Sequence, residues 1–215
     1  MKLKDARTAI YTRLGEALSP YSFKLNKSQE AFVRAVPEGR QSIYVSIVDM
    51  APTFGLSVVI GLRADPVERI CHLFSGAPEQ YQKLSETAIV QLGYFTGRVE
   101  ADYIITSTQD IDSATAAISL ALREKVLPIM DECKSVAALA ARSNAPQSNF
   151  NSAQPPYSCL TSLTLASLSN SDAFEDLASK AITAVAPLPS SERKKVEQLI
   201  SHLRAEKKLH DTPTT

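Results

Sequence analysis

From residue 21 to residue 62, apolar and polar side chains alternate in four short runs, at 21–24, 31–36, 42–48 and 56–62. A period of two puts successive side chains on opposite faces of an extended chain, so each run predicts a strand. In the third, Ile43, Val45 and Ile47 share one face, with Tyr44, Ser46 and Val48 on the other. Pro37-Glu38-Gly39 predicts the turn before it, and 49–54, with Pro52, the connection after it. The fourth run is apolar on both faces at Val58-Val59-Ile60, which suits a central strand covered by helices on at least one side. Residues 87–96 and 103–106 read as further strands joined across Gly97.

Elsewhere the period lengthens. Leu3, Ala6, Ile10, Leu14 and Ala17 recur at three and four residues and predict a helix over 2–18, which Ser19-Pro20 stops. Asp65-Pro66 predicts a short helix at 67–74, with the aspartate as cap and the proline in the first turn. A less regular segment starts at Pro78 and includes Tyr81 and Leu84. Asp110 opens the longest helix, 111–131, whose stripe is Ile111, Ile118, Leu122 and Val126, widened by Leu120, Leu127 and Met130. Pro128 should kink or end it, because the carbonyl of Glu124 loses its donor. Ser135 caps a further helix through Ala141.

Residues 143–157 are rich in Asn, Ser, Gln and Pro, with Phe150 the one large apolar residue before Tyr157, and predict a linker. The Ser/Thr/Leu-rich stretch 158–171 fits helix or loop. Residues 172–185 and 190–209 predict a helical pair separated by Pro187-Leu188-Pro189. Val196, Leu199, Ile200 and Leu203 stripe the second, and Arg204, Lys207 and Lys208 lie toward its C-terminus, the end the helix dipole favours for cations. After His210 the pattern predicts a frayed tail. The expected fold class is α+β, an antiparallel sheet of about five to six strands with packed helices. The expected domains are 1–142 for that fold, 143–157 for the linker and 158–215 for a C-terminal helical segment.

Composition narrows the function classes. Lys+Arg and Asp+Glu are equal at 23 each, so no global field draws the chain to nucleic acid or an acidic membrane. No apolar run approaches the roughly 18 residues of a membrane span. The start, Met1-Lys2-Leu3-Lys4-Asp5, has no apolar stretch behind it of the kind a secretory signal needs. Cys71, Cys133 and Cys159 form no Cys-x-x-Cys pair, which argues against a disulfide framework or structural zinc and predicts a reducing cytoplasm.

Candidate chemistry is sparse. Cys71-His72 resembles a nucleophile and its base, but neighbours on a helix point about 100° apart, so the pair reads as a buried thiol beside a helix-surface histidine. His202 and His210 suggest no ligand set, and no His-x-x-x-His is present. Asp110 and Asp112 read as helix-start residues, and Asp131-Glu132 as a solvated helix end. Asp49 and Asp65 fall at strand ends, where a carboxylate can reach a site or simply serve a turn. Phosphate-cradling and nucleophile-elbow glycine motifs are absent. The expectation is therefore no catalytic, cofactor-binding or metal residues and no cofactor, with the partner-binding residues unassigned.

The run Phe23-Lys24, Phe32-Val33-Arg34, Ile43-Tyr44-Val45, Thr53-Phe54-Gly55-Leu56 and Ile60-Gly61-Leu62 resembles a bacterial family known as domain of unknown function 4304. The likeness continues at Leu127-Pro128-Ile129 and a short helix beyond it, and covers about 1–142. These are mostly buried-strand patterns. The family brings no established chemistry and no residue roles, but some members sit among toxin-immunity genes, which implies an inhibitor.

The first functional expectation is thus a non-catalytic protein-binding module, a bacterial cytoplasmic immunity protein that binds and inhibits a cognate toxin. The alternative is a regulatory or nucleic-acid-associated adaptor using the basic C-terminal helix. There Arg193, Lys194, Lys195, Arg204, Lys207 and Lys208 outnumber Glu192, Glu197 and Glu206. No aromatic residue interleaves those cations for base stacking, which weighs against nucleic acid and leaves docking on its own domain, or on a second copy as a homodimer. A third class, an enzyme assembled from scattered residues, would show itself as a concave pocket collecting Asp49, Asp65 or His72 with perturbed protonation.

Overall fold

A computed structural model describes residues 2–97, 103–145, 150 and 153–210. The fold is α+β, a six-strand antiparallel sheet with packed helices. Helix α1 (Leu3–Leu18) leads through a 3₁₀ turn (Ser19–Tyr21) into β1 (Lys24–Asn26), β2 (Ala31–Val36), β3 (Gly39–Met50) and β4 (Thr53–Ala64). Next come α2 (Asp65–Ser75), α3 (Glu79–Gln82), β5 (Ala88–Gln91), α4 (Leu92–Thr96) and β6 (Tyr103–Ile105). Helices α5 (Thr108–Ala121) and α6 (Leu127–Glu132) flank a π turn (Leu122–Val126). The chain continues through α7 (Val136–Ser143), α8 (Tyr157–Leu168), α9 (Phe174–Val185) and α10 (Ser190–His210). The sheet order is β1-β2-β3-β4-β5, with β6 also paired to β4 through Phe54↔Ile105, Gly55↔Ile104 and Leu56↔Tyr103. Two compact units result, one of Met1–Leu62 with Ile89–Glu132, the other of Arg63–Ala88 with Cys133–Thr215.

The first unit realises the period-two pattern. On β4, Phe54, Leu56, Val58, Ile60 and Leu62 are buried, as are Ile43, Val45 and Ile47 on β3. Helix α1 buries Ala6, Ile10, Leu14 and Leu18, a four-residue row, and sets Tyr11 edge-on against Phe32 of β2 with ring centroids 6.0 Å apart. Arg34 of β2 stacks over Phe23 at 4.7 Å. It also binds Gln41 Oε1 at 2.8 Å and Asp131 at 2.8 Å, while Gln41 donates to the carbonyl of Met130. The solvated helix end expected at Asp131 is therefore tied to the sheet.

Several boundaries differ from the expectations, for local reasons. The first strand starts at Lys24, because Ser19–Tyr21 forms a 3₁₀ turn and Ser22 adopts a φ of 66°. Strands β3 and β4 run on until only Ala51 and Pro52 separate them. The strand expected over 87–96 stops at Gln91, and Leu92–Thr96 is a helical turn. Gly97 ends that turn at a φ of 72°, a left-handed conformation that glycine adopts without strain, and donates to Gly93 O at 2.9 Å. Residues 98–102, part of the expected joint to the next strand, lie outside the described residues.

Pro128 does not end its helix. The chain widens to a π turn at Leu122–Val126 and continues to Glu132. Leu120 is exposed rather than part of the stripe, since two residues from Ile118 is about 200° round the helix. Asp110 does not open α5 either. Ser107 is the N-cap, and Asp110 completes a capping box from the third helical position.

Asp110 Oδ2 accepts from Thr106 N, Thr106 Oγ1, Ser107 N and Ser107 Oγ, and these bonds, that from the Thr106 hydroxyl foremost, lower its carboxyl to about 2. A depressed folded-state value stabilises above the ordinary carboxylate range, and that contribution is lost as pH falls through about 2. Asp110→Asn is thus expected to unfold at lower urea than the wild type at neutral pH. The gap should narrow from about pH 4 downward and close below about pH 2. A gap constant with pH would show that the carboxylate charge is not what caps the helix.

In the second unit α8 is the central helix. Cys159, Leu160, Thr161, Leu163, Thr164, Leu165 and Ala166 are all buried, and it packs against α2, α7, α9 and α10. Its hydroxyls do not forbid burial, because they can return to the backbone, as Thr161 Oγ1 does to Ser158 O at 3.2 Å. The expected stripe of α10, Val196, Leu199, Ile200 and Leu203, is buried. Of the expected linker, 146–149 and 151–152 lie outside the described residues, as does the tail after His210, whereas Phe150 is buried.

Candidate functional site

The second unit contains a buried carboxylate, and an open cleft adjoins it. Strand β4 ends in Arg63 and Ala64, and α2 starts at once, with Pro66 in its first turn. The capping role expected of Asp65 is not the one observed. Asp65 is itself helical, and its carboxylate takes Arg63 Nε at 2.6 Å. One turn apart on α2, Glu68 and His72 share a face. Gly76 closes the helix at a φ of 67°, and the chain doubles back through α3 to bring Gln82, Ser85 and Thr87 over that face. Tyr157, the first residue of α8, supplies the remaining group.

The Glu68 side chain is 0% exposed. Thr87 Oγ1 donates to its Oε1 at 2.8 Å, and the Ser85 and Tyr157 hydroxyls both donate to Oε2. His72 Nε2 lies 3.3 Å and Arg63 Nη1 3.9 Å from Oε2. The same Nε2 is 2.9 Å from Ser85 Oγ and 3.2 Å from Gln82 O, while Nδ1 is 3.3 Å from Ser75 Oγ. Three acceptors around Nε2 place a proton on that nitrogen. Arg63 Nη1 donates to Gln82 O at 2.8 Å, Ser85 O at 2.9 Å and Ser85 Oγ at 2.8 Å. Burial first, then the charge of Glu68, raises the Tyr157 phenol, so it remains a donor.

This geometry defines what the cluster can do. A serine nucleophile with a histidine base needs the orienting carboxylate on the far ring nitrogen. Here Ser85 and Glu68 both face Nε2. The Ser85 proton is directed to Glu68 or Gln82 O, and its lone pairs meet Arg63 and His72. The arrangement is a rigid polar clasp joining α2, the 82–87 return and α8.

The adjoining cleft encloses about 590 Å³. His72 and Gln82 line it together with Arg63, Asp65, Arg69, Leu73, Glu79 and Lys83. Asp65, Arg69 and Leu73 follow one another at four-residue spacing, a single row along α2. Leu73 is 68% exposed, and Tyr81, on the short helix that carries Glu79 and Gln82, is 57% exposed. Arg69 has no hydrogen bond or ion pair among the described residues.

The residues singled out in the sequence scatter. His72 is not a surface histidine, since its side chain is only 9% exposed. Cys71 is buried, its Sγ 3.4 Å from Thr164 Oγ1, and burial pushes the thiol up to about 12, so it stays protonated at neutral pH. His202 pairs with Glu206 at 3.3 Å and lies against Phe74, and the His210 side chain is outside the described residues. Asp112 pairs with Arg13, and Asp49 accepts from Ala51 N at 3.1 Å within the β3–β4 turn. Asp65 and His72 do meet in one cleft. Glu68, Ser85, Thr87 and Tyr157 were not anticipated. The signal in the sequence is the Glu68-x-x-x-His72 spacing, which puts both side chains on one helix face.

On α10, Lys195 binds Glu192 at 2.9 Å and Arg204 pairs with Glu175 of α9, so part of its basic face is answered within the unit. Among the described residues no group of His, Cys, Asp and Glu could hold a metal ion, and no helix is long and apolar enough to cross a membrane. No family model, curated protein or solved structure matches the chain.

Proposed function

We propose that this chain is a non-catalytic protein-binding module whose contact surface is the rim of the cleft on α2 and α3. The observation that carries the reading is Leu73, 68% exposed on the cleft wall beside Arg69, a cation without a partner among the described residues. An exposed aliphatic side chain, a nearby exposed tyrosine and an arginine, presented around a concavity, are the composition of an energetic centre in a protein interface. The Glu68 clasp fixes the helix that displays them, so little ordering cost is left to binding. The class of partner is a toxin domain that the module occludes, as the resemblance implies, and no chemical step is asked of the chain.

The test is a tagged pull-down from the native host's lysate at low and high salt, run with the wild type, Leu73→Glu and, as a control on α9, Ile182→Glu. One protein retained by the wild type and the control at high salt, and lost at least about tenfold with Leu73→Glu, is the expected result. Nucleic acid bound at low salt and released at high salt, with no protein sensitive to Leu73, would overturn the reading in favour of the adaptor.

A further inference from the structure

We infer that the cleft receives a monoanionic carboxylate carried on an apolar stem, of the kind a protein chain end with a large apolar last residue presents. The inference rests on the reading of this cleft as the contact surface. Arg63 provides the fixed part. Its side chain is 13% exposed, its Nε is held by Asp65 and its Nη1 by Gln82 and Ser85, and Nη2 has no partner among the described residues. The guanidinium is therefore oriented before any ligand arrives. Arg69, on the wall of the same cleft, adds a planar donor fork with no partner among the described residues, the geometry that matches two carboxylate oxygens.

Charge selects between anions. The cleft is lined by three cations, Arg63, Arg69 and Lys83, and two carboxylates, Asp65 and Glu79. Arg63 is already paired with Asp65, and Arg69 is a lining cation with no hydrogen bond or ion pair among the described residues, so one added negative charge is answered there. The buried Glu68 carboxylate, 3.9 Å from Arg63, opposes a second. A phosphate dianion is thus disfavoured relative to a carboxylate. Leu73 stands four residues beyond Arg69 in the same row of α2 and gives the stem an apolar contact.

The experiment titrates the full chain with 4-phenylbutyrate, its neutral amide, inorganic phosphate, and a short peptide ending in Leu-Phe as free acid or amide. Binding is followed by amide NMR shifts along α2. The acid is expected to bind with an affinity of roughly millimolar, as its few atoms allow, and the amide about tenfold more weakly. Arg69→Ala should cost the acid about tenfold, and Leu73→Ala a few-fold, with the circular dichroism spectrum unchanged. A free-acid peptide that binds more tightly than 4-phenylbutyrate assigns the ligand to a chain end. A peptide that binds no better assigns it to a small free acid and overturns the chain-end part of the proposal.

Amide binding equal to acid, phosphate binding equal to acid, or indifference to Arg69→Ala would each overturn the carboxylate assignment. Should the acid fail while partner capture remains sensitive to Leu73→Glu, the carboxylate assignment falls and the contact surface stands. The reverse pattern keeps the carboxylate site and removes the contact surface.

Discussion

Glu68→Ala is expected to lower the unfolding free energy by about 3–5 kcal/mol, the scale of removing one member of a buried charged network. The carboxylate is completely buried and accepts from Thr87, Ser85 and Tyr157, with His72 and Arg63 beside it. Alanine would leave those donors aimed at a void that also separates α2 from α8. Glu68→Gln keeps an acceptor for Thr87 but turns an NH₂ group toward donors, of which the hydroxyls can rotate to accept, so about 1–3 kcal/mol is expected. Tyr157→Phe should cost about 1 kcal/mol, for loss of one hydrogen bond with little change in volume. The double variant Glu68→Ala with Tyr157→Phe should lose less than the sum, because the tyrosine donor is already orphaned by the first change. Urea titrations followed by far-UV circular dichroism measure all of these. A loss under about 1 kcal/mol for Glu68→Ala would mean that water replaces the carboxylate and that the clasp does not hold the cleft in shape.

Much of the fold was legible because burial and local period agree. Ile43, Val45 and Ile47 point inward as their alternation requires, and Val196, Leu199, Ile200 and Leu203 face the interior as a four-residue stripe requires. Errors gathered where a short-range event overrides the period. Leu92–Thr96 is apolar enough for a strand, yet Gly97 can close a helical turn there, and the chain takes it. Pro128 removes a helix donor, but a five-residue π turn before it absorbs the defect. Helix α8 defeated period reading for another reason. It is buried nearly all round, so it shows neither an apolar face nor a polar one.

The cleft was far less legible. Its basic lining comes from a strand end, one helix and a short return, and nothing local in 63–88 says that Tyr157 will join the Glu68 cluster beside it. A buried glutamate looks like a surface glutamate in a sequence, since the hydroxyls that satisfy it lie up to 89 residues away. The one local clue was geometric. Val67 and Cys71 mark the buried face of α2, and Glu68 and His72, each the next residue, lie along its edge.

Phe150→Ala is expected to cost about 3–5 kcal/mol, the range for emptying a buried aromatic site. Polar and proline-rich neighbours make 143–157 read as a tether, and a tether would tolerate the change. The ring is 1% exposed, however, and Arg142 of α7 lies over it at 5.4 Å. Composition misleads here because one large apolar residue can anchor a segment whose average is polar. Phe150→Leu, which keeps most of the buried volume, should cost clearly less, about 1–2 kcal/mol. Leu120→Ala, at an exposed position of equal sequence hydrophobicity, should stay within about 0.5 kcal/mol. If anchoring is right, Phe150→Ala should also speed proteolytic cleavage within 143–157 before the rest of the chain is cut, by opening the segment locally. Equal stability and equal cleavage rates for Phe150→Ala and the wild type would return the segment to the role of a tether.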